Sequence, residues 1–291
     1  MSWIFAAAAA VLGALLGHLA RRSVPALLGL RDRSLPWGGP GLEVATAFFF
    51  GATALRLGSP SSVWPFLVVL ALLTVAACDY FVKLIPDLLS LPLTLTACAW
   101  AAYEPHWLLD IPVQRWLLLA AAPQLQGSVL EGPALAALGA LFGALALETI
   151  RRTFGLLAGL EVMGLGDTKL AMALGAVLGP VGLLMSLPLA FVLGVGHGLL
   201  YLRLTGQPHS PFGPPLALAG YLTMLFHPWL VGGLGRVQGL VLALPLGILA
   251  ALYSVLIALA VFLLWRTRRK AAEYEAIIEE DYRRVDERLQ D

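Results

Sequence analysis

The sequence predicts an all-α, polytopic transmembrane helix bundle of about nine spans. Hydrophobic residues make up 59% of the 291 positions and charged residues 13%, and the mean hydropathy is +0.83. Such a chain has too little polar surface for a water-soluble globule. The charges fall in short clusters between apolar runs, so they read as topology signals. They form no basic stripe for nucleic acid.

The apolar runs set the expected elements in order: 2–19, 42–57, 63–82, 88–102, 133–150, 170–181, 182–202, 216–230 and 237–265. Several are shorter than the roughly 20 residues that cross a bilayer, and their Gly and Pro content points to bundle packing. The segment 116–123 is apolar but too short to cross, and is expected to be interfacial or re-entrant on the outer side. The first run lacks a basic stretch before it and a clear small-residue cleavage site, so it reads as a retained span.

The positive-inside rule orients the chain with its N-terminus outside. Arg21, Arg22, Arg31 and Arg33, then Lys83, Arg151, Arg152, Lys169 and Arg203, and finally Arg266, Arg268, Arg269 and Lys270 then fall inside. Arg56, Arg115 and Arg236 fall outside. The expected organisation is a membrane-embedded bundle over 1–265 and a charged cytoplasmic tail over 266–291. Within the tail, 273–285 alternates charged and apolar residues as an amphipathic helix does.

On this topology two acids, Asp79 and Asp167, stand at the cytoplasmic rims of apolar spans. Acids so close to hydrocarbon are functional candidates. Brought together at a low-dielectric interface, two carboxyls repel when both are ionised, so the pair shares a proton. One can then act as general base on water while the other donates a proton, with no metal or cofactor required. Structurally, Asp79 also reads as an i,i+4 partner of Lys83, and Asp167 as a helix N-cap beside a Lys169 anchor. Gly164 and Gly166 favour the functional reading, because they permit a tight or closely approached backbone directly before Asp167.

Of the other acids, Asp87 follows Pro86 and reads as a helix cap or as a substrate-positioning residue. Glu43 is either a dipole partner at a helix N-terminus or a polar contact lining the site. Glu148 is compensated locally by Arg151 and Arg152. The five histidines are dispersed without HExxH spacing, and Cys78 and Cys98 cannot form a four-thiolate metal site.

The stretches DYFVKLIPD (79–87) with LLSLPL (88–93), and EVMGLGDTKL (161–170) with ALGAVLG (173–179), resemble the bacterial type IV prepilin peptidases, membrane aspartic proteases of the GxGD class. GLEVATA (41–47) is similar to the family's acid-containing second-span motif, and SPFGPPLALAG (210–220) to its late proline–glycine loop. The resemblance implies that Asp79 and Asp167 are the catalytic pair, and that Glu43, Asp87, Glu161, Gly164, Gly166 and Lys169 occupy motif or substrate-positioning places. It implies as partners a prepilin or pseudopilin with a membrane-embedded N-terminal helix, cut at the cytoplasmic face of the bacterial inner membrane, and the lipid bilayer.

The interval 20–40 is short and lacks the cysteine pairs that many family members carry there. The mature pilin N-terminus is therefore expected to stay unmethylated. The tail is read as an anchor and solvated stalk, or as a docking element for pilus-assembly components. Two further readings of the same acids are an ion-coupled transporter and a catalytically silent scaffold.

Overall fold

The computed structural model describes residues 2–27, 40–57, 63–158, 163–206, 210–227 and 229. The described residues are helical, without strands: α1 (Ser2–Leu27), α2 (Gly41–Leu57), α3 (Trp64–Val82), α4 (Asp87–Tyr103), α5 (His106–Leu109), α6 (Pro112–Ala121), α7 (Glu131–Ala158), α8 (Leu165–Thr205) and α9 (Gly213–Leu225), with a 3-10 turn at Pro123–Leu125. Among them, 4 helices are long and apolar enough to cross a membrane: Trp3–Ser23, Trp64–Val82, Glu131–Thr153 and Leu165–Thr205. Helices α2 and α4 have 17 residues each and α9 has 13, short of a full bilayer width. The expected run 237–265, the tail helix and Glu161 lie outside the described residues.

The packing described below belongs to one compact unit, Met1–Glu148 with Gly164–Leu242. A second unit, Thr149–Met163 with Ala243–Asp291, holds the last turns of α7. In the first unit α1 packs on α2, α9 packs on α3 and α8, and α4 packs on α8. Phe50, Leu170, Leu174, Leu187 and Leu216 are fully enclosed there.

Small residues let α7 and α8 touch backbone to backbone. Gly139 and Gly143, spaced as GxxxG on α7, lie against the carbonyls of Gly175 and Ala171 on α8. A Cβ at Gly139 would enter the space of the Gly175 carbonyl oxygen. Close approach of this kind is how helices gain packing in lipid, where burial of apolar side chains supplies no driving force.

Two separate helices were expected at 170–181 and 182–202. Two helices are present, here labelled together as α8, and they meet at a break at Gly179, where φ is 71° and ψ is 173°. Only glycine adopts that conformation without strain, and Pro180 brings no N–H to the ladder. The break orphans backbone groups on both sides, and the short helices α5 and α6 satisfy several of them. Gln114 of α6, with 0% exposure, accepts hydrogen bonds at Oε1 from the amides of Val181 (3.0 Å) and Gly182 (3.4 Å). Its Nε2 donates to the Leu108 carbonyl at 3.1 Å. On the other side, Trp107 Nε1 donates to the Val177 carbonyl at 3.1 Å. The segment expected to be interfacial or re-entrant thus adjoins a polar side chain sent into the break in α8.

Leucine at Gln114 removes the acceptor and leaves two buried amides unpaired, each costing about 1–3 kcal/mol. Gln114→Leu is expected to lower the thermal midpoint in detergent clearly, while Gln126→Leu, in the exposed turn, leaves it essentially unchanged. Equal midpoints for the two variants would remove Gln114 from this role. Nearby, Glu131 is only 2% exposed and accepts from Arg115 Nε at 2.7 Å and from the Gly127 amide at 2.9 Å. This fixes the turn that leads into α7.

Candidate active site

Asp79 lies in the last turn of α3. The helix closes at Lys83, which adopts a left-handed conformation (φ 56°, ψ 39°) and donates its amide to the Asp79 carbonyl at 2.9 Å. Such a cap is normally glycine or asparagine, and Lys83 is the one non-glycine residue with positive φ among the described residues. Its Nζ lies 5.8 Å from the Tyr201 ring centroid. The chain then runs through Ile85 and an extended Pro86 (φ −69°, ψ 132°) into α4.

The Asp79 side chain is held by the start of α9. Its Oδ2 accepts a 2.8 Å hydrogen bond from the amide of Gly213, the first residue of that helix. Helix N-termini present unpaired amides and a partial positive charge, so a carboxylate there is doubly favoured. A Cβ at Gly213 would lie 2.5 Å from Asp79 Oδ2. Glycine at 213 is therefore a condition of the contact.

Asp167 occupies the first turn of α8 and hydrogen-bonds the backbone of Gly164, the N-cap residue. The arrangement has the form of a reciprocal cap, in which an acid at the third helical position reaches back to the capping residue. Its Oδ1 is buried and has no hydrogen-bond partner among the described residues. Asp79 and Asp167 are each 8% exposed, and Gly166, next to Asp167, packs on Ile85 of the loop that follows Asp79. Two acids far apart in sequence are thus buried at adjoining helix ends.

The two glycines before Asp167 differ in what they do. Gly166 packs against Ile85, where a Cβ would meet the Ile85 Cβ at 2.9 Å, so the start of α8 closes on the loop after Asp79. Gly164 has φ −75° and open space around it. Neither its conformation nor its neighbours demand glycine.

The remaining candidates lie in two places. Asp87 is the first residue of α4, directly after the N-cap residue Pro86, and is the acid of its first turn. Its Oδ1 forms an ion pair with Lys169 Nζ, linking the start of α4 to α8. Both side chains are more than a third exposed, so screening limits the pair to at most about 1 kcal/mol. Glu43, in the first turn of α2, forms an ion pair with Arg21, whose Nε lies 2.7 Å from Oε1, and lies 3.1 Å from His18 Nδ1. It pins α1 to α2. Its neighbour Leu42 shares a packed cluster with Cys78, next to Asp79.

Sequence reasoning missed the Gly213 amide, and also the group beside Asp79. There Ser210 Oγ lies 2.8 Å from His197 Nδ1, and Tyr80 meets the rings of His197 and Tyr201 edge-on at 6.0 and 5.9 Å. A glycine between an aromatic residue and two prolines at a helix start was the available signal for Gly213. Among the described residues no group of three or more His, Cys, Asp or Glu could hold a metal. Chemically, two enclosed carboxyls, one anchored by an amide and one with an unpartnered oxygen, suit acid–base work on a water and a polar substrate bond.

Residues 66–199 match the type IV leader peptidase family. This chain is a relative of the type IV leader peptidases. The matched region contains Asp79, Asp87, Asp167 and Lys169, and excludes Glu43 and Gly213. Similar proteins include the prepilin leader peptidase/N-methyltransferase of Burkholderia pseudomallei, 34% identical over 72% of this chain and 65% of that protein. The protein of the same name from Xanthomonas campestris pv. campestris is 33% identical over 58% of this chain and 52% of its own length. That of Aeromonas salmonicida is 43% identical over 31% and 32%, respectively. These alignments span less than two thirds of each relative's length. No solved structure matches the chain.

Proposed function

We propose that this leader-peptidase relative is a membrane aspartic endopeptidase that removes the N-terminal leader of type IV prepilins or pseudopilins at the cytoplasmic membrane face. The observation that carries the reading is the burial of both acids at adjoining helix ends, Asp79 bound by the first amide of α9 and Asp167 in the first turn of α8. Asp79, already accepting an amide at Oδ2, is the member suited to take a proton from the attacking water. Asp167 donates a proton to the carbonyl oxygen as the tetrahedral intermediate forms. Collapse of that intermediate breaks the C–N bond, and the leaving amine takes up a proton from the pair.

Gly166 and Lys169 brace the Asp167 turn in this reading, Asp87 pairs with Lys169, and Glu43 fixes the neighbouring hairpin. Gly164 and Glu161 keep their motif places from the sequence resemblance. The enzyme is placed in the bacterial inner membrane as a multi-pass protein of about nine crossings, with its N-terminus outside and its tail cytoplasmic. The 1–265 and 266–291 division, and pilus-assembly partners at the tail, belong to the same proposal. Transport and silent-scaffold readings gain no support from these relatives, all of which bear a peptidase name.

The direct test is cleavage of a coexpressed prepilin, followed by mass measurement of the mature N-terminus. A leader-free product with an unmethylated terminus is expected. Persistent full-length prepilin beside correctly inserted enzyme would sink the peptidase reading. A methylated terminus, absent from cells without the enzyme, would overturn the peptidase-only expectation.

A further inference from the structure

A second feature of the unit lies beside Asp79, on α3 and α9. Helices α3 and α9 leave between them a shallow groove of about 50 Å³. On α3 it is lined by Val69, Leu72, Leu73 and Ala76, at the spacing of one helical face. On α9 it is lined by Pro214, Ala217, Leu218 and Tyr221, again one face. Phe49 of α2 closes the far end.

Both stripes run into the candidate site. Asp79 lies three positions beyond Ala76 on α3, and Gly213, whose amide holds Asp79, directly precedes Pro214 on α9. The near end of the groove, at Ala76 and Pro214, therefore lies about one helical turn from Asp79. From Val69 to Ala76 it extends ~10 Å, two helical turns at 1.5 Å per residue. Its walls offer almost no polar recognition, because the Tyr221 hydroxyl already lies 3.4 Å from the Phe49 carbonyl and 3.5 Å from Thr53 Oγ1. Leu73, Ala76, Pro214 and Leu218 form a partly exposed rim above a floor of buried Val69, Leu72 and Ala217. A polar leader peptide has no partner here. An apolar helix does, through side chains seated between ridges.

We propose that the α3/α9 groove seats the first two turns of the substrate's apolar segment, immediately after the scissile bond, and so aligns that bond with Asp79. This rests on the peptidase reading and names its docking surface. A substrate helix is favoured over a lipid chain because the near end of the groove lies within about one helical turn of Asp79 and beside Gly213, which binds it, and only a substrate must join those two places. Seating the segment in the groove converts lateral encounter in the bilayer into a fixed presentation of the bond.

Two experiments test it in the full-length protein. Leu218→Trp, at the rim, narrows the groove without touching either acid. For a prepilin substrate it is expected to raise KM about tenfold, corresponding to ~1.4 kcal/mol, with kcat unchanged. A structural defect would lower kcat or the amount of folded enzyme instead. The second places the photo-cross-linker p-benzoylphenylalanine at Leu73 in an Asp167→Asn background, which retains uncleaved prepilin. Cross-links to the prepilin's apolar segment are expected from Leu73, and none from Val192, which is 61% exposed on α8. Cross-links from Leu73 to phospholipid alone, or an unchanged KM in folded Leu218→Trp, would overturn the docking surface while cleavage by the wild type leaves the peptidase standing. A wild type that cuts no prepilin overturns both.

Discussion

Asp79→Asn and Asp167→Asn are each expected to abolish leader removal while leaving membrane insertion intact. Asparagine keeps the shape of the carboxyl but can neither take a proton from water nor deliver one. A positioned acid or base contributes about 10²–10⁴-fold to such a reaction, so either loss takes cleavage below detection in a coexpression assay. The two variants should nevertheless differ in structure. In Asp79→Asn the side-chain carbonyl can still accept the Gly213 amide, whereas Asp167 already leaves Oδ1 unpartnered, so its replacement removes no established contact at that atom. Insertion is checked by the protease-protection pattern of intact cells and inverted vesicles. Cleavage by either variant, with wild-type insertion, would end the assignment of the pair.

The second large effect is structural. Gly175→Leu is expected to cost the folded protein, because the new side chain must occupy the position of the Gly139 carbonyl on α7. Overpacking of a flexible neighbour costs about 1–3 kcal/mol, and a backbone neighbour that cannot rotate away puts the cost at or above the top of that range. The matched control is Gly196→Leu on the same helix, where a Cβ meets nothing within 4 Å. Size-exclusion profiles in detergent should show aggregate for the first and a monodisperse peak for the second. A monodisperse, fully active Gly175→Leu protein would contradict the α7/α8 contact. The contact matters to chemistry as well, since it holds the half of α8 that carries Asp167.

Much of the fold was legible because membrane helices are written in composition. The expected runs 42–57, 63–82 and 88–102 coincide with α2, α3 and α4 to within a residue at each end, since polar or proline-bearing turns bound each one. Helices α1 and α7 run past their expected ends, and α9 begins three residues early; helical hydrogen bonding continues after apolar composition stops. The break in α8 was expected after Val181 and falls at Gly179, because both sides are equally apolar and only a Gly-Pro pair marks it.

The acids were legible for a related reason: a carboxylate beside hydrocarbon stands out. Their partners were not. Gly213 contributes only a backbone amide, which no side-chain pattern records. Arg21 was read as a topology signal and His18 as one of several scattered histidines, yet both converge on Glu43. Gln114 carries no charge and sits in a short segment, so nothing in its neighbourhood distinguished it from a surface glutamine. Each of these is a long-range contact, decided by which helices become neighbours.

The break in α8 also constrains how this sequence can drift. Gln114 fills the space that a Cβ at residue 179 would need, and the same side chain receives the amides that the break exposes. Shortening Gln114 makes room at 179 but strands those amides; enlarging 179 displaces the glutamine and strains a left-handed backbone. Positions 114 and 179, far apart along the chain, are thus epistatic, and neither can change profitably before the other.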